Sequence, residues 1–285
     1  MSRLIHSGDN LHKGDVALSF DPSLGIAFEG CACLAAFHVG AIEWLSEEGF
    51  RPATVTGASS GSLVAAALAT GRVGELRDAW MEVAGSAVCD WRRLLRARWP
   101  FLMTEIVSGA ARRRFADALM ADTIVPLGIA VTVWDQWRFQ RRLFTGRHPF
   151  RIATVIQASC FLPGPYWQMV ALEGRPAFDG AWLQRVPVDD AATLGARKVI
   201  ACTSNIDGRL LRGALRPVDV EKPASDFRVL SPIEPLALGP WDFNLERSVQ
   251  ALTIGRASAA AFVDRHREWL TTPGTLNPER CTRFR

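Results

Sequence analysis

The sequence predicts an α/β fold in which a mostly parallel sheet carries helices on its faces. Three observations point there. Strand-like and helix-like segments alternate through the first third of the chain, the order that builds parallel sheets. Residues Leu127–Trp134 and Lys198–Thr203 are continuous apolar runs of the kind buried on both faces. The stretch Ala53–Ser62 reads as a strand running through a tight turn into a helix.

Composition agrees. The chain has 285 residues, 48% hydrophobic and 22% charged, as in a globular protein with a sizeable core. No apolar run is long enough to span a bilayer. Residues 1–15 carry Asp9, Asp15, Lys13 and two histidines without an apolar stretch, so no Sec-type signal is expected and a cytoplasmic setting is. The cysteines are scattered, with no CxxC pair and no zinc spacing. All are expected as reduced thiols, and neither a metal nor another cofactor is expected. The net charge of +4 is uneven: residues 91–150 hold eleven arginines against Glu105, Asp117, Asp122 and Asp135, a local +7 that leaves −3 elsewhere. No nucleic-acid motif accompanies the charge, so nucleic acid is not an expected partner.

Taken in order, Val16–Phe20 is a short strand candidate and Asp21–Gly25 a turn. A second strand, Ile26–Phe28, leads through a loop of small residues into a helix over Leu34–Leu45. Gly40 inside that helix costs stability, which implies close packing against a neighbour. Thr54–Thr56 are β-formers, and Leu63–Thr70 is an Ala- and Leu-rich helix stopped by Gly71. Further helices are expected at Glu75–Ala84, within residues 90–121 around Pro100, and at Phe150–Cys160. Leu127–Trp134 and Trp137–Thr145 form a hairpin. Trp167–Leu172 is a strand, Pro187–Leu194 a short helix, residues 204–226 a loop, and Phe227–Leu230 a last strand. Asp242–Leu270 is a long helix, and the tail from residue 271 is loosely held. With no repeat or linker, residues 1–285 are expected to form one domain, its core at about 16–260.

Gly57 and Gly61 bracket Ser59, giving Gly-x-Ser-x-Gly on a strand–turn–helix. Such a turn exposes a serine hydroxyl at the strand's end, with the N–H groups of the next helix facing any anion formed beside it. An ordinary turn of small residues is the alternative. Asp179-Gly180, read alone, is a β-turn.

Three segments align in sequence: the loop and helix Phe28–Gly40, the motif Gly57–Gly61, and Phe178-Asp179-Gly180-Ala181. Together they resemble the patatin-like phospholipase family, and Ala158–Gly164 is similar to that family's segment before its catalytic aspartate. The resemblance covers about residues 16–260. It implies a three-layer sandwich with a central, mostly parallel sheet between helices. It also implies lipid acyl ester hydrolysis by a Ser-Asp dyad, with Ser59 as nucleophile and Asp179 as base. The oxyanion hole would fall on Gly30, Cys31 and Ala32, and the substrate would be a phospholipid or another lipid ester. Ala32 and Ala35 depart from the family's glycines. A positive φ costs alanine roughly 1–2 kcal/mol, so a weakly active relative that binds lipid or a partner protein is an alternative, as is an acyltransferase.

Other residues have competing readings. His38 is a possible base or a packed helix residue, and Cys31 a nucleophile or a buried thiol. Asp189 and Asp190 are a metal pair or a solvated helix start. Ser59, Asp179 and His266 follow a triad order, although His266 falls in a charged helix. Residues 91–102 interleave arginines with Trp91, Trp99 and Phe101, which suits peripheral contact with an anionic membrane or a packed helix with a basic face.

Overall fold

A computed structural model describes residues 18–214, 216–219 and 226–274. Its elements run β1 (Leu24–Phe28), α1 (Ala36–Glu47), β2 (Thr54–Ala58), α2 (Ser60–Ala69), α3 (Leu76–Ala84), α4 (Met103–Phe115), β3 (Leu127–Asp135), β4 (Arg138–Thr145) and α5 (Ile152–Ser159). There follow β5 (Ala171–Leu172), β6 (Arg175–Phe178), α6 (Val188–Thr193), β7 (Lys198–Cys202), β8 (Leu211–Gly213), β9 (Arg216–Asp219), β10 (Asp226–Leu230) and α7 (Leu245–Thr271).

The main sheet is mixed and mostly parallel. β10, β7, β1, β2 and β3 pair in that order, all parallel, and β4, β6 and β5 add antiparallel strands beyond them. Strand side chains alternate between faces, and the alternation separates two cores. Leu24, Ile26 and Phe28 of β1 and Ile200 and Cys202 of β7 join the larger core. Ala27, Val199 and Ala201 face a smaller one with Val188 and Ala191 of α6. Thr54 and Thr56 of β2 donate their hydroxyls to the Ala191 and Pro187 carbonyls at 3.0 and 2.9 Å.

On the other face α1 lies across α7. A Cβ on Gly40 would stand 1.9 Å from the Leu252 carbonyl oxygen, and one on Gly255 2.1 Å from that of Phe37. The two glycines let the backbones touch, which is the close packing that Gly40 implied.

Several elements differ from the sequence reading. Leu18–Phe20 is not a strand, and residues 16 and 17 lie outside the described residues. The first helix opens with a 3-10 turn at Ala32–Ala35. The strand expected over Trp167–Leu172 shrinks to Ala171–Leu172, because the Trp167 N–H donates to Thr104 Oγ1 of α4 at 3.1 Å instead of to a strand. Within 204–226 the chain forms the β8–β9 hairpin, not an open loop. Backbone bonds outside the hairpin hold it, from Ala214 N–H to the Ala181 carbonyl and from Arg185 N–H to the Arg212 carbonyl, both 2.8 Å. Residues 275–285 of the expected tail, with Cys281, lie outside the described residues, as do His6 and His12.

Candidate active site

Ser59 sits between the last residue of β2 and the first of α2, with φ 49° and ψ −129°. That backbone region is sparsely populated for a residue with a side chain and costs of order 1–3 kcal/mol. Neighbours hold it there. Its N–H donates to Ser159 Oγ at 2.8 Å, and its carbonyl accepts from Ser62 Oγ at 2.5 Å. Ser159 Oγ in turn donates to the Ala130 carbonyl at 2.7 Å, tying the turn to β3. The flanking glycines make room, since a Cβ on Gly57 would stand 2.5 Å from the Gly61 carbonyl oxygen, and one on Gly61 2.5 Å from that of Glu29.

Asp179 follows β6 directly. Its Oδ2 accepts from Ser59 Oγ at 2.6 Å, and its Oδ1 accepts from the Ala181 N–H at 2.8 Å. A Cβ on Gly180 would come within 2.1 Å of the Ala130 carbonyl oxygen, so only glycine lets this turn close on β3. Asp179 is 3% exposed. Burial raises its pKa to about 7, against the bonds from Ser59 and Ala181 and the charge of Arg185, which lower it. A carboxylate poised there suits a general base.

The loop after β1 lies beside the serine. The Gly30 N–H donates to the Arg185 carbonyl at 2.9 Å, and the Cys31 N–H to Ser60 Oγ at 3.2 Å. Two of the three amides expected in an oxyanion hole are therefore engaged. Among the described residues no acceptor faces the N–H of Ala32, whose φ is +52°. The positive φ that a glycine would take is thus adopted by this alanine. Ala35, the other departure, has an ordinary φ of −65°.

Glu29 supports this loop from beneath and was not singled out by the sequence. It is fully buried; its Oε1 lies 2.7 Å from Arg185 Nη2, and its Oε2 accepts from the Thr203 hydroxyl and from the Ser204 N–H and hydroxyl. Ser159, Ser62 and Arg185 were also missed. The roles of Ser159 and Arg185 depend on contacts between distant segments, whereas Ser62 bonds Ser59 within the same turn.

A cleft of mostly apolar residues opens over Ser59 and Asp179, bordered by Ala32, Leu63, Trp80, Met103, Tyr166 and Trp241 among others. Tyr166 is the chain's single tyrosine.

His38 is fully buried in α1, and burial followed by the Arg185 charge lowers its pKa to about 3. It is a neutral, packed imidazole. Burial pushes the Cys31 thiol well up from its ordinary value, which makes it inert. His266 packs on Phe262 near the end of α7. That end bonds Lys198, the first residue of β7, through the Trp269 carbonyl at 2.7 Å, so His266 lies at the opposite end of the sheet from Ser59. Asp190 is not part of a solvated helix start: it is 4% exposed and bound to Arg141. One set of possible metal donors exists among the described residues, with a carboxylate oxygen of Glu29, the Cys31 thiol and the His38 imidazole all within 4.8 Å of one another. Arg185 already balances that carboxylate. Cys31, Cys33, Cys89, Cys160 and Cys202 are free thiols.

A family model described as patatin-like phospholipase matches residues 26–192, more than half of the chain and a span that includes Ser59 and Asp179. The chain belongs to the patatin-like phospholipase family. Membership places it among lipid acyl hydrolases in general. Among solved structures it is similar to VipD from Legionella pneumophila, at 11% identity and a TM-score of 0.50, over 87% of this chain and 67% of that one. That likeness shows the patatin-like α/β fold. The type III effector protein ExoU also matches, at 11% identity and a TM-score of 0.47, over 87% of this chain and 54% of its own. No helix among the described residues is long and apolar enough to cross a membrane.

Proposed function

We propose that this chain cleaves lipid acyl esters through an acyl-enzyme formed on Ser59, with Asp179 as the base. The observation that carries the reading is the 2.6 Å contact between Ser59 Oγ and a buried carboxylate whose pKa lies at about 7. A serine hydroxyl is a weak nucleophile without an adjacent base. Here Oγ attacks the ester carbonyl carbon while its proton passes to Asp179 Oδ2. The tetrahedral oxyanion meets the Ala32 N–H and the N–H groups at the start of α2. The alcohol leaves with the proton held by Asp179. Water then attacks the acyl-enzyme, gives its proton to Asp179, and restores Ser59 as the acid departs. The apolar cleft over the site supports a lipid acyl group as substrate.

A second reading rests on Ala32: the cost of its positive φ would favour a weakly active, lipid-binding relative. An acyltransferase would share the acyl-enzyme and differ only in its acceptor. Hydrolysis of phospholipid vesicles by wild type and Ser59→Ala separates these cases. Serine-dependent release of fatty acid supports the hydrolase. Binding without release indicates the weak relative, and transfer to an added alcohol in place of release indicates the transferase.

A further inference from the structure

We infer that Trp80 is the floor of the acyl site and sets the length of chain the enzyme accepts, an inference that rests on the proposed acyl hydrolase reading. Two apolar cavities meet at this residue. The first opens at Ser59 and Asp179 and reaches inward to Leu63, Trp80 and Val83. The second lies between α2, α3 and α4 and is bounded by the same three residues, together with Ala67, Ala110 and Phe115. Trp80 is 6% exposed, so its indole fills the space between the two. Both are partly open, and the empty space in them, open solvent included, is about 560 Å³ in the first and 410 Å³ in the second. Removing the partition would therefore join the two and extend the apolar room behind the nucleophile.

The far end of the second cavity is charged. Arg72 and Arg114 stand there with Glu75, at 3.5 and 3.8 Å, and Arg114 also reaches Glu82 at 3.6 Å. A methyl terminus gains nothing by displacing these ion pairs, so the apolar part of the second cavity ends at them. A chain entering past Ser59 ends against Trp80 in the wild type. With a smaller residue at that position it continues between α2 and α4. Each methylene buried is worth about four-fold in binding, so the preferred acyl length reads out the position of the floor.

The test compares octanoyl, lauroyl and palmitoyl nitrophenyl esters on wild type, Trp80→Ala and the milder Trp80→Leu, each shown to fold by its melting curve. The ratio of palmitoyl to octanoyl kcat/KM should rise at least ~10-fold in Trp80→Ala and less in Trp80→Leu. Adding Ala110→Phe, which fills the back cavity, should cancel the gain, and alone it should leave the wild-type ratio unchanged. Ratios that stay constant across folded variants overturn the inference, as does an unchanged gain with Ala110→Phe present. Palmitate binding to Ser59→Ala, with and without Trp80→Ala, needs no turnover and separates the two claims. A silent enzyme that still gains palmitate affinity on loss of Trp80 sinks the hydrolase reading and keeps the partition. No gain in affinity sinks the partition.

Discussion

Ser59 and Asp179 follow two strands that run toward each other along one edge of β3. β4 covers Gly128–Asp135 on one edge of that strand. The other edge is shared: β2 pairs Ala58 with Ala130, and β6, running the opposite way, pairs Phe178 with Thr132. Only Val131 separates the two registers. The residue after each strand must then turn out over the same point, and the hydroxyl and carboxylate meet there. A site built on strand ends is held more rigidly than one built on loops.

Loss of either partner should remove the chemistry. Ser59→Ala and Asp179→Asn are each expected to lower ester hydrolysis by at least ~10³-fold. His38→Gln and His266→Gln should cost less than about ten-fold, since one is a buried neutral ring and the other lies at the far end of the sheet. Steady-state kinetics on variants with matching circular dichroism decide this. If folded His266→Gln is as inactive as Ser59→Ala, the dyad is wrong.

The raised pKa of Asp179 has two pH signatures. As the base it must be ionised, so kcat/KM should rise through about pH 7 and level above it. Stability runs the other way. The folded state holds this proton more tightly than the unfolded chain, whose value is near 3.8. The contribution is therefore full below about pH 4 and is lost as pH rises through about 7. At about 1.4 kcal/mol per unit this amounts to a few kcal/mol. Asp179→Asn, inactive, should melt higher than wild type at pH 8, with the gap closing toward pH 5. A wild-type rate already level from pH 5 upward would show that Asp179 is not the titrating base.

Ala32 pays for its conformation without a side-chain benefit in view. Ala32→Gly relieves about 1 kcal/mol of strain at φ +52°. If that strain hinders presentation of the amide, turnover should rise by a few-fold to ten-fold. A fall in turnover at equal or higher melting temperature would mean that the alanine holds the loop in its working shape.

Much of this was legible in the sequence for local reasons. The alternation gave the parallel sheet, and the glycines around Ser59 marked a turn with no room for side chains. Gly40 announced a helix crossing, although its partner Gly255 became visible only in the fold. What was not legible depends on pairing across long separations. Ser159 is an unremarkable helix residue until β3 brings Ala130 beneath it. Arg185 follows no pattern, yet it joins Glu29 to the segment that carries Asp179. The β8–β9 hairpin was missed because its stabilising bonds go to residues 181–185 and not to a hydrophobic repeat of its own.

An exposed basic and aromatic segment offers a route to a lipid surface. Residues Trp91–Arg96 form a short 3-10 helix that buries none of its residues, while Pro100 is buried and Phe101 and Leu102 are half-buried. Leu95 is 89% exposed, and Trp91, Leu94 and Trp99 are exposed beside it. The segment is anchored by Arg93 to Glu105 at 2.8 Å, by Trp99 Nε1 to the Gly164 carbonyl at 2.8 Å and by backbone bonds of Pro100 and Leu102 to residues 88–90. Arg92, Arg96 and Arg98 make no ion pair among the described residues. Cations interleaved with exposed Trp and Leu suit the headgroup region of an anionic bilayer. Each arginine near such a surface contributes about 1 kcal/mol. Changing Arg92, Arg96 and Arg98 together to Gln should then weaken binding to anionic vesicles by ~10–100-fold and flatten its salt dependence. Leu95→Ser should weaken binding by a smaller factor that salt does not alter. Vesicle sedimentation at two salt concentrations measures both. Binding to anionic and zwitterionic vesicles that is equal, and unchanged by the arginine substitutions, would rule this surface out as the membrane contact.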